Sequence, residues 1–531
     1  MTLLSRLYGV RPTLRHRVGV RRDVEIPAAD GVRLLATHYY PMGQRRPPLV
    51  LLRSPYGRGS ALDRIPKLLA ERGYQVLYQS LRGTAGSGGR FDGFVIDPAD
   101  ADGTLSWLRA QPWFGGELAT WGASYLGYAQ WELAARDVPE WKVALIQDAP
   151  SEFARTFMYP GGVFALGNAL GWVQLVDTMF TGGHSLIRQF LAVPGADRRL
   201  RRATHTLPVT DADRVLTGRR VPWFQEWIAH GPDEAYWQRM NHRANTGRMP
   251  PVVHLQGGWY DLFLPGMLED HARLLAAGRR VRLLIGPWGH GKGLYTRAGM
   301  RDTLATLDAA LLGRDGPTGT RVFVTGADQW RDLPEWPPAH QPTPWYPYAG
   351  GGLGRDPADR GAPPSRYRYD PADPTPTIGG TTVGMSAGPA DNRALEARAD
   401  VLTFTGPPLA ADVEAIGPVR VRLYARSTTA HADYVARLCE VDGRGRSRNL
   451  CDGALRVGPD SEADGVRVLD IELWPLAHRF RAGNRIRLQI SSGAHPRYGR
   501  DPSHSAAIDH EIFHDPDHRS AVWLPLIEGS S

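Results

Sequence analysis

Cysteine is almost missing from this chain. Cys439 and Cys451 are the only two in 531 residues, with no C-x-x-C spacing and no accompanying histidine pattern. That excludes a disulfide framework and a cysteine-based metal centre, and two buried free thiols are expected. Lysine is nearly as scarce. Lys67, Lys142 and Lys292 are all there is, so arginine carries the net charge of +8. The arginines are interspersed with acids, and the densest group, Arg198, Arg199, Arg201 and Arg202, lacks interleaved aromatics. A nucleic-acid partner is therefore not expected. No stretch reaches the roughly 18 apolar residues of a membrane span. Residues 1–22 hold Arg6, Arg11, Arg15, Arg17, Arg21 and Arg22 without a continuous apolar segment, unlike a secretory leader. The expectation is a cytoplasmic protein with no membrane partner, metal or cofactor.

What is present is an alternation of strand and helix signals. The chain is too long for one ordinary domain. Near its start, two strand-like runs flank Asp30-Gly31, as in a β-hairpin. Short apolar runs follow at 49–53, 75–80, 118–121, 143–147, 252–256 and 281–285. They lack period-two alternation, as do strands covered on both faces. Helical stretches lie between several of them, so an α/β sheet of about eight strands is expected.

Such sheets bind ligands beyond the carboxyl ends of their strands. The third run ends at Ser54-Pro55-Tyr56, the fifth at Gly122-Ala123-Ser124-Tyr125-Leu126-Gly127, and the sixth at Asp148. The seventh ends at Gly258-Trp259-Tyr260-Asp261 and the eighth at Gly286-Pro287-Trp288-Gly289-His290. A serine in a tight strand-to-helix turn has the form of a nucleophile elbow, although Leu126 stands where the usual pattern has its second glycine. The order Ser, Asp, His is that of an α/β-hydrolase. Ser124 needs a base to remove its proton, and His290 has the right chemistry. Asp261 would orient His290, with Asp148 as its competitor. His254 competes with His290 but lies inside a strand. The N–H of Tyr125 suits an oxyanion hole. Tyr56 could add a phenolic donor or simply pack in its turn. The stretch Arg82 to Gly89 faintly resembles a phosphate loop, but it lacks the closing Gly-Lys-Ser/Thr and reads better as a turn.

At these motifs the chain resembles the cocaine-esterase-like branch of the X-prolyl dipeptidyl-peptidase hydrolases. Arg53-Ser54-Pro55-Tyr56, Arg82-Gly83-Thr84, Gly122 to Gly127, Gly258 to Asp261 and Gly286 to His290 carry the likeness. Asp391-Asn392-Arg393, Thr405 to Leu409, Ala432 to Leu438 and Ala482 to Leu488 extend it. The resemblance implies that a bulky residue is tolerated at Leu126 and that the Tyr56 hydroxyl serves the oxyanion hole. It also implies a C-terminal jelly-roll β-sandwich, which the alternating runs Val419 to Tyr424 and Arg485 to Ile490 support on their own.

The implied plan is an α/β-hydrolase domain in two parts, 1–150 and 251–314, a helical cap at 151–250 and a jelly roll at 315–531. The cap is rich in aromatics, among them Phe153, Phe157, Trp172, Trp223 and Trp227. By the resemblance, Trp172 faces the acyl group. Phe263 either lines the same pocket or packs under its loop. The expected activity is hydrolysis of an ester or amide of a bulky apolar acyl group through an acyl-enzyme, on a small-molecule substrate. Acyl transfer, cyclisation and dipeptidyl-peptidase activity remain alternatives. The last would need carboxylates for a substrate amine, for which Asp211, Asp213, Asp233 and Glu234 are candidates. A homo-oligomer is possible.

Overall fold

The computed structural model describes residues 8–10, 16–59, 63–181, 186–383, 387–458, 465–503 and 505–527. Its first layer is a sheet built from β1 (Val18–Pro27), β2 (Arg33–Pro41), β3 (Leu49–Ser54), β4 (Gln75–Ser80), β5 (Leu118–Ala123), β6 (Trp141–Gln147), β7 (Val252–Tyr260), β8 (Arg280–Gly289), β9 (Gly319–Val324) and β10 (Gln329–Leu333). The order across the sheet is β1-β2-β4-β3-β5-β6-β7-β8-β9-β10. The strands from β4 to β9 pair in parallel, and antiparallel strands close both edges.

The apolar runs become central strands because both sheet faces are covered. Every residue of β3 is buried. Val50 and Leu52 face one core, shared with Leu68 and Leu69 of helix α1 (Arg64–Glu71) and Met300 and Leu304 of the helix Arg297–Leu312. Leu49 and Leu51 face the other, shared with Tyr128 and Trp131 of the helix Tyr125–Leu133. Period-two side-chain alternation in a strand thus splits one hydrophobic run between two helix layers.

The sheet has ten strands rather than about eight, and it runs past the division expected at 314. The added hairpin, β9 and β10, pairs with the edge of β8. The residues of β9 alternate in burial, as in a sandwich strand, whereas β10 has no buried residue. β9 nonetheless pairs in parallel with β8 of the hydrolase sheet, from Arg282 opposite Gly319 to Ile285 opposite Val322.

Between β6 and β7 the chain forms a mostly helical cap. It includes helices Leu166–Thr181, Leu186–His205, Ala212–Thr217 and Pro222–Ala229. The C-terminal part is a β-sandwich. One antiparallel sheet contains the long strands Val413–Ser427 and Arg467–Phe480, and the other contains Ala432–Val441, Ser447–Val457 and Arg485–Ser491. Leu423 and Ile471 from the first sheet meet Leu438, Leu488 and Ile490 from the second in one core. Cys439 and Cys451 are buried free thiols in that sandwich, and burial pushes the Cys439 thiol up to about 12. Among the described residues no helix is long and apolar enough to cross a membrane.

Candidate active site

Ser124 sits between β5 and the helix Tyr125–Leu133 with φ 56° and ψ −125°, a region that a non-glycine residue occupies only under strain. The turn is held by the Ser124 N–H donating to the Gln147 carbonyl at 2.9 Å, and by the Tyr128 N–H donating to the Ser124 carbonyl at 2.9 Å. Two glycines permit the close packing. A Cβ on Gly122 would lie 2.3 Å from that of Leu126, and one on Gly127 would lie 2.7 Å from that of Ala149. The close approach of helix to strand therefore falls at Gly127, one residue later than the usual pattern has it. Leu126 is half-buried and packs against the core cluster that holds Leu68 and Leu69, so a bulky side chain fits there.

The side chains at three strand ends form one hydrogen-bonded line. His290 Nε2 lies 2.9 Å from Ser124 Oγ, and His290 Nδ1 lies 2.7 Å from Asp261 Oδ2. Asp261 is fully buried. Its other carboxylate oxygen accepts from the Phe263 N–H at 2.7 Å. From the sandwich, the Trp474 indole N–H donates to the Asp261 main-chain carbonyl at 3.0 Å. Burial disfavours a charged His290, but the Asp261 carboxylate outweighs it, and the imidazole is held above its ordinary value.

Tyr56 follows β3, where its N–H donates to Ser54 Oγ at 3.0 Å. Its hydroxyl accepts from the Trp172 indole N–H at 3.2 Å and stands within hydrogen-bonding reach of the Ser124 side chain. Burial pushes the phenol above its usual value, so it stays protonated. Tyr125 is the first residue of its helix, where main-chain N–H groups lack acceptors within the helix. Its ring is anchored by the hydroxyl donating to the Gly93 carbonyl at 2.8 Å.

Comparison with known proteins gives the family and the fold. Residues 30–292 match the family described as X-Pro dipeptidyl-peptidase (S15 family), and residues 314–519 match the X-Pro dipeptidyl-peptidase C-terminal non-catalytic domain. The chain belongs to the S15 family. It is a serine hydrolase. It is 31% identical to a cocaine esterase of Rhodococcus sp. (strain MB1 Bresler), over 96% of this chain and 99% of that one. Its fold is that of an aminopeptidase from a marine-sediment Thaumarchaeota archaeon (TM-score 0.80, 21% identity, 97% of each chain). It is also that of an α-amino acid ester hydrolase (TM-score 0.78, 20% identity, 96% of this chain and 97% of that one).

In this S15 chain aromatic rings from the cap and the strand-end loops gather around Tyr56, Tyr125 and His290. Trp172 stacks on Phe94 with ring centroids 4.2 Å apart and tilts against Phe91 at 6.2 Å. Phe263 meets His290 edge-on at 5.3 Å and packs against Phe153 and Phe157. It therefore borders the imidazole and also packs under its loop. Phe91, Phe94, Asp148 and Trp474 also reach the site or its supports. For Phe91 and Phe94 the only signal was a pair of aromatics in a glycine-rich loop.

The four candidate amine-binding carboxylates of the cap are engaged elsewhere. Asp213 accepts from the Val221 N–H and the Gln225 amide. Asp211 pairs with Arg220, Asp233 with Arg155, and Glu234 with the Gly231 N–H. His254 is wholly buried within β7 and bonds to Asp302, away from Ser124. Among the described residues, Asp148, Asp261 and His290 form the one group with metal-ligand spacing. Both nitrogens of that histidine already face Ser124 and Asp261.

Proposed function

We propose that this protein hydrolyses esters or amides of a bulky, apolar acyl group through an acyl-enzyme on Ser124. The observation that carries this reading is the unbroken line from Ser124 through His290 to the buried Asp261, with Phe263 against His290 and Trp172 bonded to Tyr56. In the first step His290 Nε2 takes the Ser124 proton as Oγ attacks the carbonyl carbon, and Asp261 stabilises the imidazolium. The Tyr125 N–H and the Tyr56 hydroxyl donate to the oxyanion. The imidazolium returns its proton to the leaving alcohol or amine. Water then repeats the sequence against the acyl-enzyme and releases the acid. Trp172 and Phe263 would line the acyl pocket. The likeness to a cocaine esterase supports ester bonds. Asp211, Asp213, Asp233 and Glu234 each take a partner within the cap, which disfavours dipeptide release.

The reading is tested with p-nitrophenyl esters of graded acyl size beside an X-Pro anilide. Benzoyl or phenylacetyl esters are expected to exceed acetyl in kcat/KM by about tenfold or more, since each well-packed methylene contributes about 1–3 kcal/mol. Faster turnover of the X-Pro anilide, or transfer of most acyl groups to an added amine rather than to water, would replace this reading.

Tyr56→Phe keeps the ring and deletes the donor. It is expected to cost about 10²–10³ in kcat with little change in KM, because the bond tightens in the transition state. An unchanged kcat with a lowered thermal midpoint would make Tyr56 a packing residue.

The pH profile follows from the raised imidazole. His290 acts as a base only when neutral, so kcat/KM should rise with pH along a limb centred above the ordinary imidazole value of about 6.5. Asp261→Asn removes the charge that raises it, and in that variant the limb should move down.

A further inference from the structure

Asp148 ends β6 with φ 48°, a left-handed conformation that a non-glycine residue holds only where its surroundings demand it. Its N–H donates to the Gln256 carbonyl at 2.8 Å. One carboxyl oxygen accepts from the Gly291 N–H at 3.0 Å, the residue directly after His290. Asp148 is 2% exposed and Asp261 0%, and ligand atoms of Asp148, Asp261 and His290 all lie within 4.8 Å of one another. Two ionised carboxylates at that range in a dry site repel strongly, so one of them holds a proton.

The hydrogen bonds say which. Asp261 accepts from His290 Nδ1 and from the Phe263 N–H, and both donors favour its charged form. Among the described residues, Asp148 accepts one main-chain N–H, that of Gly291. The titratable groups facing it are Asp261, from the loop after β7, and His290, from the loop after β8. We propose that Asp148 is a positioning residue: a neutral carboxylic acid that donates its proton to Asp261 while its other oxygen holds Gly291 and so fixes the His290 loop. Burial first, and then the charge of Asp261, hold its carboxyl well above the usual carboxylate range, in the same direction. The pair carries one negative charge, and the donated hydrogen bond moderates how strongly Asp261 raises the basicity of His290.

This inference rests on the Ser124–His290–Asp261 reading, and the test separates the two. The rate of fluorophosphonate labelling at Ser124 is followed against pH in the unaltered protein, Asp148→Asn and Asp148→Leu. Asparagine keeps both the neutral charge and a donor, so its acid limb should stay within about 0.3 pH units, with labelling slowed less than tenfold. Leucine removes the donor, so the Asp261 charge acts on His290 without that hydrogen bond to moderate it. Its limb should move up by about half a unit or more, with slower labelling. A downward move of about one unit in Asp148→Asn would mean that Asp148 is ionised and would overturn the proposal. So would limbs unmoved in both variants, the signature of a merely structural residue. No labelling of the unaltered protein would overturn the underlying serine assignment itself. Infrared absorption keeps the question decidable if Asp148→Leu fails to fold: a protonated-carboxyl stretch should be present in the unaltered protein at neutral pH and lost in Asp148→Asn. Identical spectra would overturn the proposal.

Discussion

Ser124→Ala is expected to lower the turnover of any ester substrate by about 10⁶-fold, because removing the nucleophile disables the whole unit rather than one contribution to it. Folding should survive. The hydroxyl bonds to His290 at one edge of a site whose main chain is held by the Gln147 carbonyl and the Tyr128 N–H. Ser124→Gly sharpens the test. At φ 56° and ψ −125° glycine relieves strain of about 1–3 kcal/mol, less the entropy that glycine adds to the unfolded chain. Ser124→Gly should therefore be no less stable than Ser124→Ala and equally inactive. Activity assays and thermal melts on both variants check this. Substantial turnover in either would move the nucleophile elsewhere.

Asp261→Asn has the second largest expected effect, a fall of about 10⁴-fold in kcat, the scale on which neutralising the acid of such a triad acts. The amide cannot stabilise the imidazolium, and it can hold the ring in the wrong tautomer. The 2.7 Å contact to His290 Nδ1 belongs to Asp261, whereas Asp148 reaches the main chain of Gly291. Kinetics on the two asparagine variants side by side check the assignment. A collapse in Asp148→Asn with near-normal turnover in Asp261→Asn would exchange their roles.

Much of this was legible in the sequence for a physical reason. Central parallel strands are buried on both faces, so β3 to β8 stand out as short apolar runs, and chemistry concentrates where those runs end. Ser124, Asp261, His290, Tyr56 and Tyr125 are all strand-end residues. The hairpin of β9 and β10 lies past the division expected at 314, and the alternating burial of β9 suits a sheet edge and a sandwich equally well. The shift of the close-packed glycine to Gly127 depends on how near Ala149 and the Gln147 carbonyl approach, a distance without local sequence trace. The Trp474 bond to Asp261 spans 213 residues and joins two layers of the molecule, so no window of sequence contains it. Asp148 was visible as a carboxylate at a strand end. Its partnership with Asp261 follows only once both are seen in the same dry pocket.

The most direct test of the central claim is the mass of the covalent intermediate. The protein is mixed with a slowly turned-over aromatic ester, quenched in acid, digested and mapped by mass spectrometry. The account predicts one acyl group on the peptide that carries Ser124, absent from Ser124→Ala. Steady hydrolysis with no acylated peptide, or an acyl group on a different residue, would contradict it.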